Sequence, residues 1–121
     1  MKNQSFPLRL GFALRGLAHA LRSERSLRFQ VVVLVLVMLT LLWLRPSPGW
    51  WAAAALASAG VIAAELLNTA IEQLADVLHP AESPGIRIVK DCAAAGVLIA
   101  TLGAVATGVA LLVHLRLTHS A

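Results

Sequence analysis

Phe29 to Leu44 reads F-Q-V-V-V-L-V-L-V-M-L-T-L-L-W-L. A run this long and this apolar predicts a membrane-spanning helix, because about 20 residues rising 1.5 Å each cross the hydrocarbon of a bilayer. The run is slightly short. Arg28 and Arg45 bracket it, and their aliphatic stems can lie along the apolar surface while the charged ends reach water. The first span is therefore placed at 29–45. Pro46, Ser47, Pro48 and Gly49 follow as a tight turn. Trp50 and Trp51 then open a second span as interfacial anchors. It stays apolar to Ala64, becomes mixed through Glu65, Asn68, Glu72, Gln73 and Asp76, and keeps a helical pattern to Leu78. Prolines and a glycine in His79–Gly85 (H-P-A-E-S-P-G) predict a loop, taken as 79–90. The third span, 91–115, is rich in alanine and glycine. Gly96, Gly103 and Gly108, with Ala100, Ala104 and Thr107, form pairs of small residues suited to close helix packing, within or between subunits.

Composition agrees. Hydrophobic residues make up 59% of the 121 residues and charged residues 13%, against roughly a quarter charged in an average soluble domain. A soluble domain of this size has too little interior for that much apolar surface. The chain reads as one integral membrane domain, 1–121. Its N-terminal region, 1–28, carries a helix near Leu8–Leu21, with Leu10, Leu14, Leu17 and Leu21 on one stripe and Arg9, Arg15, His19 and Arg22 off it. A basic helix with one apolar face lies in the headgroup plane. Cys92 is the one cysteine and the four histidines are scattered, which disfavours disulfide, redox and zinc chemistry.

Positive charge sets the expected orientation. Lys2, Arg9, Arg15, Arg22, Arg25 and Arg28 precede the first span, and Arg87 and Lys90 lie between the second and third. Only Arg45 and Arg116 fall on the other side. Eight against two places the N-terminus and the second loop in the cytoplasm. Three thin helices enclose little, so a homo-oligomer of cyclic symmetry is expected.

The six acids, Glu24, Glu65, Glu72, Asp76, Glu82 and Asp91, all fall at or near the cytoplasmic side. Taking Glu65 as origin, Asn68 lies at about −60°, Glu72 at about −20° and Asp76 at about +20° around a helix, over about 16 Å. Glu65 falls a few residues inside the hydrocarbon. An ionisable group there is expensive and marks a functional site by default. It has no basic residue three or four positions away. Structurally, the other acids could simply pair with Arg22, Arg25, Arg28, Arg87 and Lys90. Chemically, clustered carboxylates without Cys or His favour a hard cation such as Mg²⁺, which is commonly completed by substrate phosphates. Lys90 beside Asp91 adds a cation for phosphate oxygens. From bilayer to cytosol the order is base, metal, nucleotide, as phosphorylation of a membrane alcohol requires. No Walker loop, Rossmann fingerprint or protein-kinase signature is present. A proton-coupled transporter would instead place acids near the bilayer middle, and a non-catalytic assembly factor would not depend on them at all.

Glu65 to Asp76, E-L-L-N-T-A-I-E-Q-L-A-D, resembles the E-x-L-N-[ST]-A-I-E-x-x-x-D signature of the prokaryotic diacylglycerol kinase family. Lys90-Asp91 and the small residues after it resemble the family's K-D-x-x-[AS]-[AG] motif, and Ala95–Ile99 also fits. Arg22–Gln30, R-S-E-R-S-L-R-F-Q, resembles its short acidic element, with Glu24 in the acidic place and Gly16-Leu17 before it. The likeness covers about Gly11 to Leu112. It implies an all-α membrane homotrimer, each chain with an N-terminal surface helix and three transmembrane helices. It implies transfer of the ATP γ-phosphate to a lipid hydroxyl with Mg²⁺, the partners being a membrane lipid, ATP and other copies of the chain, with no nucleic acid. Carried over by position, Glu65 is the general base and Glu24 and Glu72 hold the metal. Asn68, Asp76, Lys90 and Asp91 complete the nucleotide and phosphate site. Phe12 stands where relatives often have a tyrosine near the nucleotide. The 78–89 segment departs from the family in its prolines and in the place of its histidine: relatives often have an acid and a histidine in this loop, and here Glu82 is present but His79 stands at the wrong end. Arg25 and Arg28 lean toward the undecaprenol-type element and Phe29-Gln30 toward the diacylglycerol type. Diacylglycerol is the expected acceptor, with undecaprenol the alternative.

Overall fold

The computed structural model describes residues 3–119; Lys2, one of the charges used for orientation, lies outside them. The chain forms α1 Phe6–Ser23, α2 Arg25–Leu44, α3 Pro48–Leu78 and α4 Pro84–His119. The last three are long and apolar enough to cross a membrane. The all-helical architecture, with three helices long enough to span a bilayer, follows from the apolar runs.

The helix ends differ from the expected boundaries, and each difference has a local cause. Helix α2 starts at Arg25, so the last four residues assigned to the N-terminal region belong to the first long helix. Only Glu24 separates it from α1, with extended backbone (φ −108°, ψ 111°). The Arg28 guanidinium donates to the carbonyls of Leu21 (3.0 Å) and Arg22 (2.7 Å). Those carbonyls at the end of α1 have no intrahelical donor, so Arg28 caps one helix from the first turn of the next. At the other break, α4 begins at Pro84. Residues 84–90, expected in the loop, form its first two turns. Proline fits there because the first turn of a helix needs no amide donor. Ser83 Oγ accepts the Ile86 amide at 3.3 Å. The prolines mark a helix start rather than a long loop. Between α2 and α3, Arg45 takes the left-handed conformation (φ 51°, ψ 55°), and Pro48 opens α3.

Helices α3 and α4 form the closest pair, α2 packs on α3 but not on α4, and α1 bridges α2 and α3. Half-buried Ala93, Val97, Ala100, Ala104 and Thr107, with buried Leu111, line one face of α4. Side chains this small let two helices approach closely. A Cβ at Gly96, Gly103 or Gly108 would meet nothing in this chain, so within the chain the alanines do the packing. Buried apolar residues are few: Ala20, Leu27, Leu41, Ala75 and Leu111. Most large apolar side chains point outward, an arrangement compatible with lipid as solvent. Against that background, Glu65 and Thr69 of α3 are buried polar residues. Because α2 and α4 do not touch, a groove of about 460 Å³ opens between them, with α3 as its floor.

Candidate active site at the head of the α2–α4 groove

Glu65 is 5% exposed. An isolated carboxylate in such a place is strongly disfavoured, and α2 supplies its partners. Ser26 Oγ donates to Glu65 Oε1. Gln30 Nε2 donates to Oε2 at 3.3 Å. Ser26 and Gln30 are four residues apart, so they share one face of α2. Both carboxylate oxygens are thereby held by neutral donors, not by an arginine.

Toward the α3–α4 turn the other polar side chains follow turn by turn. Asn68 Nδ2 approaches Glu72 Oε1 at 3.5 Å. Lys90 Nζ donates to Asp76 Oδ1 at 2.6 Å, joining α4 to α3. Glu24, at the α1–α2 corner, is half-buried, and Asp91 is exposed. Among the described residues the Glu24 and Asp91 side chains make no hydrogen bond or ion pair. Phe12 is half-buried on α1, with the Arg15 guanidinium 4.9 Å from its ring centroid. Helix α1 also reaches α3 through His19 Nε2 and Gln73 Nε2, 3.1 Å apart. Of the cations that could have neutralised the acids, Arg87 pairs with exposed Glu82 at 3.3 Å, Arg28 caps α1, and Lys90 takes Asp76. None serves Glu65.

Three buried oxygens around this face, Gln30 Oε1, Asn68 Oδ1 and Thr69 Oγ1, have no hydrogen-bond partner. Each such orphan costs about 1–3 kcal/mol. The site is rich in oxygen acceptors and poor in donors, and oxygen donors are what a hard cation takes. Among the described residues no three His, Cys, Asp or Glu side chains converge on one point. A divalent ion held here would draw further oxygens from a ligand, as Mg²⁺ commonly does from phosphates. Glu24 and Glu72 offer the carboxylate oxygens such an ion takes.

Ser26, Gln30 and Thr69 escaped the sequence reading. Gln30 was absorbed into the apolar run of the first span, and Ser26 into the basic segment before it. The available signal was their i, i+4 spacing at the mouth of an otherwise apolar helix. The same two residues line one end of the groove. From them it runs along α2 to Leu41, about 22 Å by helical rise. Its walls include Val33, Val37, Ile62 and Val105, and Trp50 and Leu111 lie at the far end. There Trp50 packs on His114, ring centroids 5.5 Å apart. The groove is thus polar at one end and greasy along its length.

Residues 11–112 match the prokaryotic diacylglycerol kinase family. A protein from Synechocystis sp. named "Diacylglycerol kinase" is 34% identical over 102 residues, 84% of this chain. The chain spans 58% of that relative's length. The matched interval contains the α1–α2 corner, the Glu65–Asp76 face and the Lys90-Asp91 pair. The chain belongs to the prokaryotic diacylglycerol kinase family.

Proposed function

We propose that this chain is an ATP-dependent lipid kinase of the bacterial inner membrane that phosphorylates diacylglycerol to phosphatidic acid. The observation that carries the proposal is Glu65, a buried carboxylate held at the polar head of an apolar groove. A predominantly apolar groove, in which the Thr101 and Thr107 hydroxyls donate to carbonyls of their own helix, accommodates a hydrocarbon chain, and its head then presents the chain's hydroxyl beside a proton acceptor. Glu65 acts as the general base, which must lie within hydrogen-bond reach of the proton, directly or through one intervening group. Phosphoryl transfer otherwise depends on positioning and on neutralising charge. Glu24 and Glu72 would hold Mg²⁺, which when bound offsets the negative charge of the phosphates. Asn68, Asp76, Lys90 and Asp91 would complete the nucleotide and phosphate site, with the Lys90 ammonium facing phosphate oxygens, and Phe12 would stand near the nucleotide. Lys90 would exchange its contact with Asp76 for phosphate oxygens. In this reading the N-terminus is cytoplasmic, and three copies assemble so that the outward apolar faces and the site are shared between subunits. The name of the Synechocystis relative favours diacylglycerol over undecaprenol.

The test is direct. Purified chain in detergent or lipid is given radiolabelled Mg-ATP with diacylglycerol, undecaprenol or monoacylglycerol in turn. Labelled phosphatidic acid is the expected product. Label on undecaprenol alone would overturn the acceptor, and label on no lipid would overturn the kinase.

A further inference from the structure

Glu65 does not line the groove; Ser26 and Gln30 do. The base is 5% exposed, whereas Ser26 is exposed and stands between the groove and the carboxylate. A serine hydroxyl has one donor and two acceptor lone pairs. Its donor is spent on Glu65 Oε1, so both acceptor positions remain for an alcohol arriving along the groove. Gln30 Nε2 fixes the other carboxylate oxygen at 3.3 Å and keeps Oε1 turned toward Ser26. No cation competes for that oxygen.

From this geometry we infer that Ser26 is a proton relay between the lipid alcohol and Glu65. The inference rests on the lipid-kinase reading and adds a catalytic residue on α2. In the step, the acceptor oxygen forms a bond to the γ-phosphorus of the nucleoside triphosphate. The bond from that phosphorus to the β–γ bridging oxygen breaks, and its electron pair leaves with the nucleoside diphosphate. The acceptor O–H bond breaks, its proton passes to Ser26 Oγ, and the proton formerly on Ser26 passes to Glu65 Oε1. Charge and atoms balance, with no water between alcohol and base. Thr69 Oγ1, buried and without a partner one turn further along α3, cannot substitute, because it does not line the groove.

The experiment compares the unaltered full chain, Ser26→Ala and Ser26→Thr in lipid, with Mg-ATP and diacylglycerol. Single-turnover transfer is followed in H₂O, D₂O and their mixtures. A relay carrying its share of acid–base catalysis predicts a loss on the order of 10²-fold for Ser26→Ala, with the KM for ATP unmoved. Ser26→Thr restores the rate to within a few-fold. The rate against deuterium fraction is curved for the unaltered chain and for Ser26→Thr, where two protons move together, and linear for Ser26→Ala. Thermal unfolding of each variant identifies any rate loss that comes from misfolding. Ser26→Ala transferring within about threefold of the unaltered chain, or losing rate without rescue by threonine and without a change in curvature, overturns the relay and leaves the kinase standing. An unaltered chain that phosphorylates no lipid overturns both.

Discussion

Replacing Glu65 separates chemistry from folding, because the structure predicts opposite stabilities for two variants that should both lose activity. Glu65 accepts one hydrogen bond from Ser26 and one from Gln30, and is 5% exposed. In Glu65→Ala the half-buried Gln30 amide loses its acceptor, while the hydroxyl of exposed Ser26 is free to turn elsewhere. One orphaned donor comes to about 1–3 kcal/mol before any cavity is counted. In Glu65→Gln the amide oxygen can still accept from Ser26. Its new N–H₂ would oppose Gln30 Nε2, but Gln30 Oε1 is buried and has no partner. A half-turn of the Gln30 amide pairs the two side chains and satisfies that oxygen as well. Glu65→Gln should therefore unfold within about 1 kcal/mol of the unaltered chain, at the scale of one exchanged hydrogen bond. Neither variant has a proton acceptor, and general-base loss is worth roughly 10²–10⁴ in rate. Denaturant titration in detergent micelles and lipid phosphorylation by Mg-ATP measure the two quantities on one preparation. Equal unfolding of Glu65→Gln and Glu65→Ala would refute the hydrogen-bond assignment. Glu65→Gln retaining more than about a hundredth of the rate would refute the base.

Other perturbations test the frame around the site. Leu27 is fully enclosed, so Leu27→Ala should destabilise by about 2–5 kcal/mol, read as a lowered unfolding midpoint. Arg28→Ala removes the cap on α1 and should cost about 1–3 kcal/mol, with faster hydrogen exchange and proteolysis confined to the α1–α2 corner. The Lys90–Asp76 pair is largely exposed at Asp76, where ion pairs add little stability. Lys90→Ala should raise the KM for ATP several-fold while leaving the unfolding midpoint in place. Glu72→Gln should raise the Mg²⁺ concentration needed for half-maximal transfer, with little change in the KM for lipid.

The architecture was largely legible because hydrophobic length is a one-dimensional signal. The uninterrupted apolar stretches locate all three long helices, and the shared face of Glu65, Asn68, Glu72 and Asp76 follows from helical periodicity alone. Boundaries were less legible. Whether Pro84 ends a loop or begins a helix depends on Ser83 accepting the Ile86 amide, which no proline count reveals. The partners of Glu65 were the least legible. Ser26 lies 39 positions from Glu65 and Gln30 lies 35, and only the antiparallel packing of α2 on α3 brings them together. Charge counting looked for cations, whereas the site uses neutral donors. Likewise Gly96 and Gly103 suggested close packing, but the face of α4 turned to α3 is set by its alanines.

In the proposed lipid kinase, a base kept beside ATP would risk handing the phosphate to water. Closing a site against solvent suppresses such side reactions, and here the protection follows from how the helices pack. Helix α2 rests on α3 through the Ser26 and Gln30 contacts, and this same packing buries Glu65. Approach to Glu65 then runs along a groove whose walls are predominantly apolar over about 22 Å of helix. Water is disfavoured in such a channel, while a lipid alcohol can enter it from the bilayer without leaving an apolar medium. On the proposed reading, selectivity for a lipid acceptor needs no dedicated recognition of the headgroup. It follows from burying the carboxylate behind α2 and leaving the groove between α2 and α4 open along its length. Placing a charged side chain in that groove, as in Val37→Asp, should therefore weaken lipid phosphorylation while leaving the Ser26–Glu65 contact intact.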